Sequence, residues 1–285
     1  MNLFKFPIPN FNDKSKSTIF WRHMRFYSRK FLYYPQVKFL EKTLNMKGNE
    51  RLKNFFSNRP DACYNVTRRF CDKSFSANER VKTLIYDVNK GIESFKFLPH
   101  DQIIFKFDED FELYLGSNRH VSEEGFWALS LRYQKCTIEQ CCFCFTLDNK
   151  LLISCIQGYQ YSDFNVLDIN KIFTKKCYGL RPIALLIECI KMLCVSLKLD
   201  ATLGVHEKNQ IRSQKGEDKG YFVDYQKIWL ENGGKLVKIN NHLYYELSHK
   251  RKNLEEIPSS KRSMYKKRFA MLEEIKQALD QSLFI

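Results

Sequence analysis

The sequence predicts an α+β fold: a helical N-terminal region packed on a largely antiparallel sheet core that contains a strand–helix–strand arrangement. Three observations carry this. Helical periodicity and caps dominate the first hundred residues. From Gln102 the pattern shifts to short runs rich in aromatic and branched residues. A strongly apolar helix then lies between two short strands.

Ser17 or Thr18 is placed to cap a first helix through IFWRHMRFYSRKFLYY, which Pro35 breaks or bends. QVKFLEKTL continues the helical pattern to Gly48, and Asn49 opens a short helix, ERLKNFFS, that stops before Pro60. Ser76-Ala-Asn-Glu79 is a capping box. It starts a helix with Val81, Leu84, Ile85 and Val88 on one face, ending near Gly91.

IIFKF, FELYLG, FWALSLRY, IEQCCFCFTL and KLLISCIQG then read as five strands of an antiparallel meander, with Asp148-Asn149 as a hairpin turn. A helix over Val166–Lys175 follows, and Pro182 sits in the first turn of an apolar helix ending near Leu199. ATLGV is a short buried strand, and 207–220 a polar, mobile loop. YFVDYQKIWLENGG reads as a helix ended by Gly233 and Gly234, KLVKI and HLYYEL as a hairpin. A basic helix from Ser259 or Ser260 closes the chain. The expected division is a basic helical region over 1–95 and an α+β core over 96–285. With no long Gly/Ser/Pro linker between them, the two form one compact unit.

At 285 residues, 44% of them hydrophobic, with 24 Phe and 15 Tyr, the chain can bury a substantial core, which excludes extensive disorder. Eleven glycines and seven prolines exclude collagenous and low-complexity classes. Ten cysteines in a chain whose start, MNLFKFPIPNF, lacks an apolar signal region point to reduced thiols in a cytosolic protein. The longest apolar stretch, Ile183 to Leu199, is interrupted by Glu188, Lys191 and Lys198, so it is a core helix and not a membrane span.

The net charge of +15 calls for an anionic partner. From Lys14 to Lys42 there are eight Lys/Arg against one acid, and KRSMYKKR over 261–268 contains no acid. Arg22, Arg25, Arg29, Lys261, Arg262 and Lys267 are therefore candidates to contact RNA or an anionic membrane surface. The alternative is two solvated helix faces that keep an aromatic-rich protein soluble.

Motifs for known chemistries fail at named positions. Cys141 and Cys144 form a C-x-x-C without the second pair that zinc needs, so no metal site is expected. His206-Glu207 begins an H-E-x-x-H that Gln210 breaks. Nucleophile-elbow, P-loop and dinucleotide glycine signatures are absent. What remains is the helix N-terminus after Gly179, where backbone amides and dipole favour phosphate, with Lys175, Lys176 and Arg181 around it. These residues are candidates to hold acyl-CoA or an acyl carrier protein's phosphopantetheine. His206 is the candidate general base, with Asp224, Tyr225 and Trp229 lining the same cleft. Each is equally readable as a packing residue.

TKKCYGLRPIALLIECIKMLC, preceded by IQGYQ and followed by GVHEKNQ, YQKIWLENGG and KRSMYKKRFAMLEEI, resembles the VirK/YbjX family of Gram-negative bacteria. The match runs from about Arg80 to the C-terminus, and G-L-R-P after Thr174-Lys175 and K-R-S-x-Y from Lys261 are its more specific parts. The resemblance implies a cytoplasmic protein, peripheral to the inner membrane on one reading, tied to virulence, resistance to antimicrobial peptides and stress. It carries no catalytic role over to any residue. The strand–helix–strand order is also similar to that of the GNAT acetyltransferases and the related toxin-activating acyltransferases, whose coenzyme loop reads Q/R-x-x-G-x-G/A. Here Lys176-Cys-Tyr-Gly179-Leu-Arg181 keeps the middle glycine only. Two functions follow as expectations: acyl transfer from acyl-CoA or an acyl carrier, or a non-enzymatic basic binding module.

Overall fold

The structure, a computed structural model, describes residues 3–11, 16–96, 100–118, 121–213 and 223–284. Helix α1 (Lys16–Leu32) begins one residue before Ser17, so Ser17 and Thr18 lie inside its first turn and do not cap it. Pro35 is in the opening turn of α2 (Tyr34–Leu44), where its fixed φ and missing N–H cost nothing. The N-terminal segment is strapped onto α2: Asn45 Oδ1 accepts the Phe4 amide at 2.7 Å, and Glu41 Oε1 accepts that of Phe6 at 2.9 Å. Helices α3 (Glu50–Asn58) and α4 (Pro60–Tyr64) follow. The capping box forms as predicted, with Ser76 Oγ accepting the Glu79 amide (3.3 Å) and Glu79 Oε2 accepting that of Ser76 (2.8 Å). It opens α5 (Ala77–Ser94), which continues three residues past Gly91.

All five predicted meander strands are present: β1 (Gln102–Lys106), β2 (Phe111–Ser117), β3 (Trp127–Tyr133), β4 (Cys136–Phe145) and β5 (Leu151–Gly158). Asn149, at φ +58°, turns the β4–β5 hairpin without glycine. Helices α6 (Val166–Lys176) and α7 (Pro182–Ser196) then cross to β6 (Thr202–Val205), which pairs parallel with β5. After α8 (Tyr225–Glu231), β7 (Gly234–Ile239) and β8 (His242–Leu247) form a hairpin whose second strand joins β6, giving the order β1-β2-β3-β4-β5-β6-β8-β7. Helix α9 (Ser259–Gln281) ends the fold. The class is α+β, as predicted, and β5–β6 is the only parallel pair in this sheet. Its crossover contains α6 and α7, the two helices that the sequence places between these strands.

Buried side chains from Phe4 to Leu283 form one large core, and Ala128, Cys142 and Cys155 a small second cluster. Helix α5 is fixed on the sheet by Asp87, whose Oδ1 accepts the Trp127 indole N–H (2.9 Å) and the Phe145 amide (2.7 Å). One turn on, the Trp127 ring fills the space where any Cβ on Gly91 would stand. The segment 207–213 is not the free loop that its polarity predicts. His206 O accepts the amides of Asn209 and Gln210, and Lys73 bonds both the Ser213 hydroxyl (2.6 Å) and its carbonyl. Residues 214–220 of that predicted loop lie outside the described residues.

Glu139 is buried beneath α6, with Asn170 Nδ2 at 3.4 Å from Oε1. Its Oε2 and the Asn170 Oδ1 are both buried acceptors without a donor. Burial raises the carboxyl pKa to about 7, against the opposing Asn170 bond.

Two predictions follow from this packing. Gly91→Ala forces the indole aside and should cost about 1–3 kcal/mol, read as a lower urea midpoint at unchanged slope. For Glu139, the native state keeps a proton that the unfolded chain releases at its ordinary value of 4.5, so stability should fall as pH rises from there through about 7. Glu139→Gln should remove a loss on the order of 1–3 kcal/mol between about pH 5 and pH 8, measured by urea unfolding at both.

Candidate functional site

The predicted phosphate loop is a helix–helix corner. Gly179, at φ +78°, donates to Thr174 O at 2.7 Å, and Leu180 donates to Cys177 O at 3.0 Å, closing the end of α6. Arg268 of α9 braces the corner, donating to Tyr178 O from Nε (3.1 Å) and Nη2 (2.5 Å). That same Nη2 would be 3.0 Å from a Cβ on Gly179. Lys176 is ion-paired with Asp108 in the β1–β2 turn, and Lys175 and Arg181 are exposed. Arg181 is the N-cap residue of α7, with no side-chain cap.

His206 is attached elsewhere. It is buried at the end of β6 and stacked on Tyr245 of β8, with centroids 5.9 Å apart. Its Nδ1 accepts the Lys208 amide at 3.2 Å, which assigns the proton to Nε2, 3.4 Å from Glu207 Oε1. The one acceptor nitrogen is therefore occupied. Asp224 caps α8 by accepting the Lys227 amide at 3.0 Å. The Tyr225 hydroxyl accepts the Ile156 amide at 3.0 Å, in the opening where β5 and β6 part beyond Ile153 and Gly204. Trp229 covers Gly204 and donates to Val205 O at 2.9 Å. His206, Asp224 and Tyr225 are thus gathered around β5, β6 and β8, whereas the Gly179 corner is held by the β1–β2 turn and α9. Four interstrand steps separate β2 from β6, roughly 19 Å at the usual spacing.

The cysteines serve packing. Cys141 lies toward Cys189, the free thiols of Cys144 and Cys71 are neighbours, and Cys142 faces Cys155 across β4–β5. Burial raises the thiols of Cys71, Cys141, Cys144 and Cys189, and that of Cys155 is raised by its hydrogen bond with Cys142 first and by burial second. No group of three metal-ligating side chains forms among the described residues. Gln210, which breaks the H-E-x-x-H, is buried and donates to Glu124 Oε1 at 3.0 Å.

The basic residues divide. On α1, Phe26 points inward against Phe6 and Tyr64. The outward side is apolar: Phe20, Met24, Tyr27 and Phe31 follow one another at helical spacing, and Trp21 and Leu32 widen the face. Trp21 is 65% and Phe31 85% exposed. Arg22, Arg25 and Arg29 are exposed in a strip along its edge. Partial burial first, then the neighbouring charges of Arg68 and Arg25, hold the Arg29 guanidinium below its usual pKa. On α9, Lys261 and Lys267 are exposed, but Arg262 is spent on the carbonyls of Ile257 (2.9 Å) and Glu255 (3.2 Å). Helix α1 rests on α2 and the N-terminal segment, and α9 on α7 and β1, so different parts of the fold hold the two basic helices. The sequence marks the alternation of aromatic and basic residues on α1. It does not say which side faces out; the i, i+4, i+7 spacing of Phe20, Met24, Tyr27 and Phe31, apart from Phe26, was the available signal. No described helix is long and apolar enough to cross a membrane.

Comparison with known proteins places these features in a lineage. A Haemophilus influenzae protein described as uncharacterized is 32% identical over 276 residues, covering 92% of this chain and 89% of that protein. The membrane protein LapB of Mannheimia haemolytica is 32% identical over 222 residues, 74% of this chain and 96% of its own. The uncharacterized protein YbjX of Escherichia coli K12 is 31% identical over 105 residues, 36% of this chain and 32% of that protein. No solved structure matches. Residues 15–281 match the DUF535 family, described as a protein of unknown function, so the chain belongs to that family, the VirK/YbjX group that its own motifs resemble.

Proposed function

We propose that this protein is a peripheral binding module for an anionic membrane surface, docked through α1. The observation that carries the reading is the outward face of α1, apolar over six large side chains and edged by Arg22, Arg25 and Arg29. A helix of this kind lies in the plane of the interface, its apolar face among the acyl chains and its bases among the headgroups. Each arginine near an anionic surface adds about 1 kcal/mol. Lys261 and Lys267 supply further positive charge. The name of the Mannheimia relative, a membrane protein, supports the reading, as does the role in virulence, peptide resistance and stress that the family resemblance implies.

Acyl transfer is the second reading. It is favoured by the parting of β5 and β6 beside His206, where the backbone of β5 beyond Ile153 has no strand neighbour on that side among the described residues. On this reading an acyl-CoA or acyl-carrier thioester enters there and Tyr225 moves from Ile156. A small thioester mass retained on the native protein after a high-salt wash, and lost in Tyr225→Phe, supports it; an empty protein in both removes it.

Co-sedimentation with vesicles tests the first reading. The protein should bind vesicles rich in phosphatidylglycerol, and hardly bind phosphatidylcholine. The double variant Trp21→Ala/Phe31→Ala should weaken binding about a hundredfold even at low salt, and Arg22, Arg25 and Arg29 changed together to Gln should weaken it similarly at physiological salt. Equal binding by the aromatic variant, or RNA retention abolished by the Gln variant alone, would overturn it.

A further inference from the structure

The meander presents two unlike faces. On one, cross-strand rows such as Leu115–Leu129–Cys141 and Leu113–Leu131–Glu139 enter the core. On the other, the rows read Gly116–Ala128–Cys142, then Tyr114–Ser130–Gln140, then Glu112–Arg132–Thr137. The first row is small, which leaves depth; the next two are polar. The register shift after Leu131 matters here, because it sets Thr137, and not Ile138, opposite Arg132. These rows enclose a cavity of about 130 Å³ lined by Tyr114, Ser117, Ser130, Arg132, Thr137 and Gln140, with Asp101 also bordering it. A single water needs about 10–15 Å³, so the space admits a small organic molecule.

Its chemistry is set by Arg132. The guanidinium lies 3.6 Å over the Tyr114 ring, which fixes the plane of its donors. Its cross-strand neighbour Glu112 is engaged by Lys106 at 3.2 Å, and Arg132 forms no ion pair among the described residues. Its Nε–H is buried with no acceptor. Gln140 is held in place from both ends, its Oε1 accepting the Tyr159 hydroxyl at 2.9 Å and its Nε2 donating to Cys142 Sγ at 3.2 Å. That leaves the second amide proton for a ligand. The Asp101 carboxylate accepts the Ser117 amide at 3.1 Å.

We propose that this cavity binds a small oxyanion, the carboxylate or phosphate group of a small molecule, anchored on Arg132 and flanked by the Ser130 and Thr137 hydroxyls and the Gln140 amide. A planar guanidinium with an orphan donor, stacked and lacking a carboxylate partner, is built to take two oxygens of such a group.

Calorimetric titration of the full-length protein with inorganic phosphate and, separately, with acetate tests the site. At least one anion should bind saturably at a single site, and Arg132→Met should weaken it by about tenfold or more, Thr137→Val by less. Phosphate alone assigns the natural ligand to phosphate esters, acetate alone to carboxylic acids. No saturable binding of either anion up to about 20 mM, or wild-type affinity in Arg132→Met, would sink the proposal. Should Arg132→Met fail to fold, phenylglyoxal modification of Arg132 in the wild-type protein, mapped by peptide mass spectrometry, decides. Saturating anion should slow it about fivefold or more, and an unchanged rate overturns the assignment.

Discussion

The junction of α5 with the sheet is the constraint on which the rest of the molecule depends. A carboxyl group without solvent exposure, Asp87, takes one amide from the end of β4 and the indole proton of Trp127 in β3. Burial pushes its pKa well above the usual carboxylate range, so the group is tolerable there only through the bonds it accepts. The bonds fix α5 both along and across the strands, and Gly91 lets it approach to the face of the indole. Helices α2 and α3 pack on α5, and α1 follows α2. The direction in which α1 turns its aromatic side is therefore set at the sheet.

A second tie closes the fold from the other end of the chain. The Ser74 hydroxyl lies 2.7 Å from His242 Nδ1, and His242 Nε2 lies 3.1 Å from Glu79 of the capping box. Asp72, buried nearby, accepts the Ser74 amide and hydroxyl, each at 2.6 Å. The start of α5 is thus bound to the β7–β8 hairpin through residues more than 160 positions apart. Together with the bonds of Lys73 to Ser213 and of Arg69 to Ile211 O, this explains why 207–213 is pinned. Its Ser213 hydroxyl meets Lys73, and Gln210 and Arg212 meet Glu124.

Features set by neighbouring residues were legible in the sequence. The capping box at Ser76, the glycine-free turn at Asp148-Asn149, Pro182 opening α7 and the aromatic and branched runs of the five meander strands each depend on residues within a few positions. What could not be read depends on distant partners. The two helices between β5 and β6 were legible and exclude a hairpin, but the pairing of β6 alongside β5, parallel to it, is set by packing between distant residues. His206 looks like a free imidazole at a strand end until Lys208 and Tyr245 are placed around it. The Gly179 loop looks like a phosphate cradle until Arg268, 89 positions on, closes its back. The polar face of the meander was partly visible, since Tyr114, Ser130 and Arg132 sit at alternate positions in otherwise apolar strands. The bulge that aligns Thr137 with Arg132 was not.

The outward face of α1 is where composition and geometry meet. A chain carrying a net charge of +15 has polar residues enough to cover one short helix, yet six large apolar side chains occupy its exposed side. Held in water they gain nothing. Seated in an interface, each fully buried side chain would contribute about 1.5–3 kcal/mol, and the three adjacent arginines about 1 kcal/mol each against anionic headgroups. Charge alone would bind any polyanion weakly and reversibly, and apolar area alone would favour self-association. Set side by side on a helix whose inner face is already committed to Phe6 and Tyr64, the two select a surface that is at once anionic and apolar. A lipid bilayer offers both continuously along the whole helix, whereas RNA offers apolar surface only base by base.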